Sequence, residues 1–374
     1  MIVAIIGGKL QGIEAVFLAK EAGYYTILID KNPVVPASGL CDAFVCGDIT
    51  ANDPDVLAAM ARADFVLPAN ENTEVLEAVR RVCTRENIRL AFDYDAYDIS
   101  SSKLKSDRLF HDNGIPAPRY FPEGHGPYIV KPSGESGSEG VRLLETADEV
   151  EEFLQGCQDR EDWIAEEYLA GPSYSIEVIG NSSGYRTYTI TRIHMDDVYD
   201  CCKVTAPCPE LSPEQRQTFS DIGIRLAELT GLCGIMDVEV IDDRGQLKVL
   251  EIDARIPSQT PIAIYYATGV NFVQELAEVV MNGQLPPERE TSVIHSVYEH
   301  YYKEGTRVFQ AGEHRMGLAG PLAVDHDRLG AETLISDYRE GCESFSGIFI
   351  NSSEDIVELE KKREIVRKRV EALK

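Results

Sequence analysis

The chain has 374 residues, 44% of them hydrophobic, and a formal net charge of −27. That length exceeds what one compact core usually holds, so two or three domains are expected. Such acidity disfavours nucleic acid and anionic membranes as partners, because both attract basic patches. No run of about eighteen apolar residues is present to span a bilayer, and the opening MIVAIIGGKLQG lacks the basic flank and cleavage site of a signal peptide. A soluble, cytoplasmic protein is expected. Nine irregularly spaced cysteines fit reduced thiols better than a disulfide framework. Cys201, Cys202 and Cys208 cluster, but CC-x5-C matches no zinc pattern. No motif specifies an oligomeric state.

In chain order, MIVAIIG reads as an apolar strand, and Ile13, Val16, Phe17 and Lys20 fall at helical spacing before a stop at Gly23. TILID, DAFVCGD and FVLPAN are three further strands, with a helix carrying Leu76, Val79 and Cys83 after the last. This alternation predicts a Rossmann-like parallel sheet with helices on its faces over residues 1–98. A second region, 99–283, opens with a helix that ends at Asn113-Gly114-Ile115-Pro116. Within it, residues 119–172 read as a small α+β unit: strand YIVK, a Gly/Ser loop, strand VRLL, a helix, and strand WIAEEYL. Thr146 and Glu149 have capping-box spacing at the start of that helix. From Tyr174 come strands SIEVIG and YRTYTITRI, then a helix with Ser212 at its N-cap and Pro213 in its first turn. Residues 284–374 form a mixed C-terminal region that ends in a charged helix from Ser353.

The strongest chemical signal is DVEVIDDRGQLKVLEID, two acidic strands around a turn. Alternation puts Asp237 and Glu239 on one face of the first strand, and Glu251 and Asp253 on one face of the second. Symmetry about Gly245 pairs Glu239 with Glu251 and Asp237 with Asp253, so four carboxylates are expected to converge. Like charges opposed across a sheet need a cation or raised pKa values, and an all-oxygen set favours Mg²⁺. A solvated acidic hairpin is the plain alternative.

Lys131 ends the strand YIVK beside SGESGSEGV, where small residues let backbone N–H groups approach phosphate oxygens. The loop lacks a Walker GK[ST] ending, and Gly7-Gly8-Lys9-Leu10-Gln11-Gly12 fails the dinucleotide fingerprint at Lys9. A nicotinamide-dependent dehydrogenase is therefore disfavoured.

Taken in order, Lys103 before a helix ending G-I-P-x-P, the strand lysine with its glycine loop, the E-E-Y-L segment and the hairpin ending E-x-D-x-R resemble the nucleotide site of ATP-grasp enzymes. The resemblance implies an ATP-grasp fold, with ATP and Mg²⁺ as cofactors. It puts Lys103 and Lys131 on the phosphates, Ser133, Gly134, Ser136, Gly137 and Ser138 in a phosphate-covering lid (Ser133 to Val141), and Glu166, Glu167, Tyr168 and Leu169 at the adenine. Glu239, Glu251 and Asp253 would hold the metal, with Arg255 near the transferred phosphate or the substrate carboxylate. Where many ATP-grasp enzymes carry a ribose-binding G-x-E, this chain has Gly171-Pro172-Ser173.

Longer strings, IIGGKLQG, DKNP, NEN, YDCCKVTAPCP, GIMDVE and EIDARIPSQTP, resemble the ligase family of pyrrolysine biosynthesis, which joins (3R)-3-methyl-D-ornithine to the ε-amine of L-lysine. The resemblance runs to about residue 275 and implies an ADP-forming reaction through an acyl phosphate, with small-molecule substrates only. For that reaction, Ser175, Glu177, Asp237 and Arg255 are suited to the methylornithine. Leu10, Gln11 and Glu71, at the carboxyl ends of parallel strands, are suited to the lysine. Arg255, Lys131 and Asp237 are the expected catalytic side chains; Asp237 or Glu177 would take the amine proton. Lys9, Asp30 and Asp48 stand at strand ends, where a solvated rim is the simpler reading than an ancillary site. Another ATP-grasp ligase or a non-catalytic nucleotide-binding module are the competing readings; no arginine cluster for a ribose phosphate is seen, and all three metal carboxylates are present.

Overall fold

The computed structural model describes residues 1–134, 140–285, 287–288 and 293–373. Three sheets organise the described residues. The first has five parallel strands in the order Ala43–Cys46, Tyr25–Asp30, Ile2–Ile6, Phe65–Pro68, Arg89–Leu90. The central strand is buried on both faces because helices cover both: Leu10–Glu21 packs Ile13, Val16 and Phe17 on one side, and Pro54–Ala61 and Thr73–Glu86 pack Val56, Met60, Val79 and Val82 on the other. The two-residue strand Arg89–Leu90 is too short to show a period, and the sequence reading missed it.

A large antiparallel sheet runs from the hairpin Gly234–Asp243 and Gln246–Asp253 through Ser173–Asn181, Thr191–Met195, Cys201–Ala206 and His295–Glu304 to Ser344–Ser353 and beyond. Strands from both sides of residue 283 are thus members of one sheet. The expected single strand YRTYTITRI is two, Gly184–Thr187 and Thr191–Met195, both along the same edge of Ser173–Asn181. The break lets the Tyr188 hydroxyl reach Glu275 at 2.6 Å while Tyr188 N still donates to Glu177 O. The helix Pro213–Thr230 starts in a full capping box of Ser212 and Gln215. At Thr146 only half of the expected box forms: its hydroxyl accepts from Glu149 N, but the Glu149 carboxylate reaches back to Glu145 N instead.

The third sheet is small: Arg142–Leu144, Tyr128–Pro132, Trp163–Glu167, all antiparallel. Glu167 ties it to the large sheet through Lys248, at 2.7 Å. The parallel sheet is tied to the large one through its first helix. Ile262 N donates to the buried Glu14 carboxylate, and the Asn271 amide donates to Leu18 O at 2.7 Å. The helix Tyr94–Ser100 crosses the expected boundary at 98 and packs Ala96 into the core of the large sheet. Among the described residues, no helix is long and apolar enough to cross a membrane.

Candidate active site

The hairpin register is the foundation of the site. Asp237 opposes Asp253 and Glu239 opposes Glu251, but the turn is centred between Arg244 and Gly245, not on Gly245. Both turn residues have positive φ, 55° and 94°, as a tight two-residue hairpin of matching twist requires. A bulge at Leu250 supplies the missing residue, since Val249 pairs with Val240 and Glu251 with Glu239. Its effect is to send Val249 into the core while Leu250 and Glu251 both line a cavity. On the other side of the hairpin, Ser175 opposes Glu239 and Glu177 opposes Asp237, so the polar residues of three strands share one face.

Three cavities lie in a row across this face. One of about 280 Å³ is bordered by Lys103, Ile129, Lys131, Glu166, Glu167, Tyr168, Leu169, Glu239 and Glu251, between the small and large sheets. A narrow one of about 110 Å³ shares Glu239, Glu251 and Tyr199 with it and adds Asp237, Asp253 and Arg255. The third, about 520 Å³, shares Arg255, Ser258 and Glu313 with the narrow one, and runs over the carboxyl ends of the parallel strands past Leu10, Gln11 and Glu71. That end lies where the strand order reverses, between Ile2–Ile6 and Phe65–Pro68, the usual ligand crevice of open α/β sheets. Lys9, Asp30 and Asp48 line its far end; Asp30 accepts from Gly8 N and Asn32 N, and Asp48 caps Thr50.

In the first cavity Lys131 Nζ meets Glu166 Oε1 at 2.6 Å, both buried. Burial alone would lower the lysine pKa, but Glu166 and Asp107 beside it leave it raised and the side chain charged. Lys103 Nζ meets Glu251 Oε1 at 2.8 Å. Ser133 is buried, accepting from Leu104 N and Lys103 N, and borders none of the three cavities. Gly134 has open space where a Cβ would stand. Ser136, Gly137 and Ser138, and with them most of the expected lid, lie outside the described residues.

The four carboxylates do not converge on one point as expected. Arg255 divides them: it meets Asp253 Oδ2 at 2.9 Å, Asp237 Oδ1 at 3.7 Å and Glu71 Oε1 at 2.9 Å, while Glu251 turns to Lys103. Among the described residues no group of three His, Cys, Asp or Glu is gathered tightly enough to hold a metal ion. The donor chemistry nevertheless suits Mg²⁺: Glu239, Glu251 and Asp253 border one cavity with hard oxygens only. Burial and the neighbouring Glu251 push Glu239 up to about 8, a repulsion that a divalent cation relieves.

Ser175 and Glu177, expected at the substrate, are fully buried and border none of these cavities; the Thr260 side chain lies against Glu177. Burial raises Glu177 to about 7. Sequence reading missed Tyr199 and Glu313. Glu313 borders two of the cavities from a short 3-10 helix, Glu313–Leu318, and burial raises its pKa. No local pattern marks it, since the C-terminal region reaches the site only through the sheet. The three clustered cysteines point apart: Cys201 donates to Gln259, Cys202 to His194 O and Cys208 to Glu210.

Residues 100–259 match the ATP-grasp domain family. Over 339 residues, 89% of this chain, the sequence is 36% identical to the 3-methyl-D-ornithine–L-lysine ligase of Methanosarcina mazei, covering 86% of that protein. The fold is similar to biotin carboxylase from Campylobacter jejuni (TM-score 0.74, 17% identity, 98% of this chain and 91% of that one). It is equally similar to the biotin carboxylase domain of the Hydrogenobacter thermophilus 2-oxoglutarate carboxylase, solved with MgADP (TM-score 0.74, 16% identity, 100% and 90%).

Proposed function

The chain belongs to the 3-methyl-D-ornithine–L-lysine ligase family of ATP-grasp enzymes, and on that footing we propose that it joins (3R)-3-methyl-D-ornithine to L-lysine in pyrrolysine biosynthesis. ATP phosphorylates the methylornithine carboxylate, releasing ADP; the lysine ε-amine then attacks the acyl phosphate, expelling phosphate and forming the amide. The carrying observation is the row of cavities, in which a narrow chamber holding Arg255 joins the pocket between the small and large sheets to a larger one over the parallel strands.

In this reading the adenine rests against Glu166, Glu167, Tyr168 and Leu169, and Lys103 and Lys131 face the phosphates, while Ser133 accepts from Lys103 N and Leu104 N outside that cavity. Mg²⁺ bound by Glu239, Glu251 and Asp253 would neutralise charge on the phosphate oxygens. Arg255 holds the methylornithine carboxylate close to the nucleotide cavity; its fixed planar charge suits a carboxylate. Leu10, Gln11 and Glu71 receive the lysine in the outer cavity. The attacking amine must lose a proton, which at neutral pH costs about 4–5 kcal/mol from a free pKa near ~10.4. We assign its acceptor as Asp237 rather than Glu177, because Asp237 borders the chamber. All nine cysteines are free thiols, which suits a reducing compartment, and we place the enzyme in the cytoplasm.

The test is a mass-spectrometric assay with ATP, Mg²⁺, lysine and D-ornithine as the donor surrogate. A product equal to the two amino acids less one water, with matching ADP, is expected. ADP release that depends on bicarbonate and yields no condensed product would replace this reading with a carboxylating one.

A further inference from the structure

The turn between strands Thr191–Met195 and Cys201–Ala206 takes no part in the chemistry above, yet it is built with unusual care. Asp196 Oδ1 accepts from Val198 N at 2.9 Å and Asp200 N at 3.0 Å, which closes the turn. Tyr199 sits in it at φ 64°, a left-handed conformation uncommon for an aromatic residue and a mark of functional constraint. Its side chain is part of the wall of the nucleotide cavity, facing Tyr168.

Asp196 and Asp200 then reach across to the C-terminal region. Asp196 Oδ2 accepts from Gly312 N at 3.0 Å; Asp200 Oδ2 accepts from His314 N at 3.2 Å and meets His314 Nδ1 at 2.8 Å. Gly312 has an ordinary φ of −67°, so the glycine serves approach and not conformation: a Cβ there would lie 1.9 Å from Asp200 Cγ. The Tyr302 hydroxyl fixes Gly312 O from behind at 2.7 Å. Between the two anchored residues is Glu313, which borders both amino-acid cavities. Tyr199 and Glu313 are thus each next in sequence to one end of the same contact.

We propose that Asp200 is a positioning residue that couples the nucleotide cavity to the amino-acid cavities, by holding Tyr199, at the boundary of the nucleotide cavity and the narrow chamber, together with Glu313, at the boundary of the chamber and the outer cavity. A nucleotide that presses on Tyr199 changes where Glu313 stands, and by linkage an amino acid bound beside Glu313 changes nucleotide affinity by the same factor. The proposal rests on the assignment of nucleotide and amino-acid substrates to these cavities.

Calorimetric titrations of the full chain test it, using a non-hydrolysable ATP analogue with Mg²⁺, and D-ornithine or L-lysine, each alone and with the other ligand saturating. In the wild type each ligand is expected to alter the other's affinity by about fivefold or more, symmetrically. In Gly312→Ala, whose Cβ drives Asp200 away, that factor falls to about one, while nucleotide affinity measured alone changes by less than about threefold; Asp200 also borders the narrow chamber, so D-ornithine affinity is read only as its ratio with and without nucleotide. Asp200→Asn, nearly isosteric and checked by circular dichroism and melting, falls in between because its amide oxygen still accepts from His314 N. Equal coupling in wild type and both variants, or none in the wild type, overturns the proposal. If the wild type binds nucleotide but neither amino acid, the substrate assignment fails first and the coupling falls with it.

Discussion

Arg255 Nε donates to Glu71 Oε1 at 2.9 Å, joining the end of the carboxylate hairpin to the loop after the fourth parallel strand. Gln11 Nε2 donates to the same oxygen at 2.7 Å. The sequence treats Gln11 and Glu71 as one binding group and Arg255 as another, but one carboxylate serves both. Glu71→Gln keeps an acceptor and removes the charge. It should raise the KM for lysine by about tenfold or more and also slow donor activation several-fold, since hydrogen bonds to charged groups contribute about 1.5–3 kcal/mol. Steady-state kinetics with each amino acid varied in turn checks this; an effect confined to lysine would mean that Arg255 does not depend on Glu71.

Glu251→Gln removes charge from the proposed metal set without changing volume, and it also takes the anion away from Lys103. Turnover should fall by about a hundredfold or more, as for lost electrostatic stabilisation elsewhere, while the melting temperature changes little. Initial rates over a range of magnesium concentrations provide the check. Activity near wild type at millimolar magnesium would remove Glu251 from the metal assignment.

Much of this was legible because it is periodic. Strand alternation put Asp237, Glu239, Glu251 and Asp253 on one face, and the βα order put Leu10, Gln11 and Glu71 at the crevice. The Gly245 symmetry found the right pairs through two offsetting errors, since neither the turn centre nor the bulge at Leu250 has a sequence signature. Long-range pairing was not legible at all. Nothing near Arg255 in sequence says that it separates the carboxylates, and nothing near Glu313 says that a late 3-10 helix closes two cavities. Ser175 and Glu177 were placed correctly on the face, but alternation cannot tell a lining residue from one beneath the lining.

Glu14, fully buried between the first helix and the large sheet, has its pKa raised from 4.5 to about 8, chiefly by burial. Between those values the folded chain keeps a proton that the unfolded chain has lost. Stability from this group is therefore complete below about 4.5, declines as pH rises, and levels off above about 8. The full span corresponds to on the order of 5 kcal/mol. Glu14→Gln cannot ionise and still accepts from Ile262 N, so its melting temperature relative to wild type should climb from pH 5 to about pH 8 and then level off. A difference independent of pH would show that Glu14 titrates normally in the fold.

The final expectation concerns which amino acid is activated. Arg255, Asp237 and Asp253 border the narrow chamber that adjoins the proposed nucleotide cavity, whereas Leu10 and Gln11 border only the outer one. A carboxylate attacked by the γ-phosphate must come within about 3–3.5 Å of it, so the donor belongs in the chamber and lysine outside. Leu10→Trp tests this without touching Arg255 or Glu71: the indole adds bulk at the start of the first helix, in the wall of the outer cavity. With hydroxylamine in place of lysine, D-ornithine hydroxamate and ADP should form at rates within about threefold of wild type, because the small nucleophile needs no lysine pocket. Condensation with lysine should fall by about tenfold or more, chiefly through KM, as expected when binding rather than transition-state contacts are lost. Formation of lysine hydroxamate in the wild type, or loss of ornithine hydroxamate in Leu10→Trp as severe as the loss of condensation, would reverse the donor and acceptor cavities.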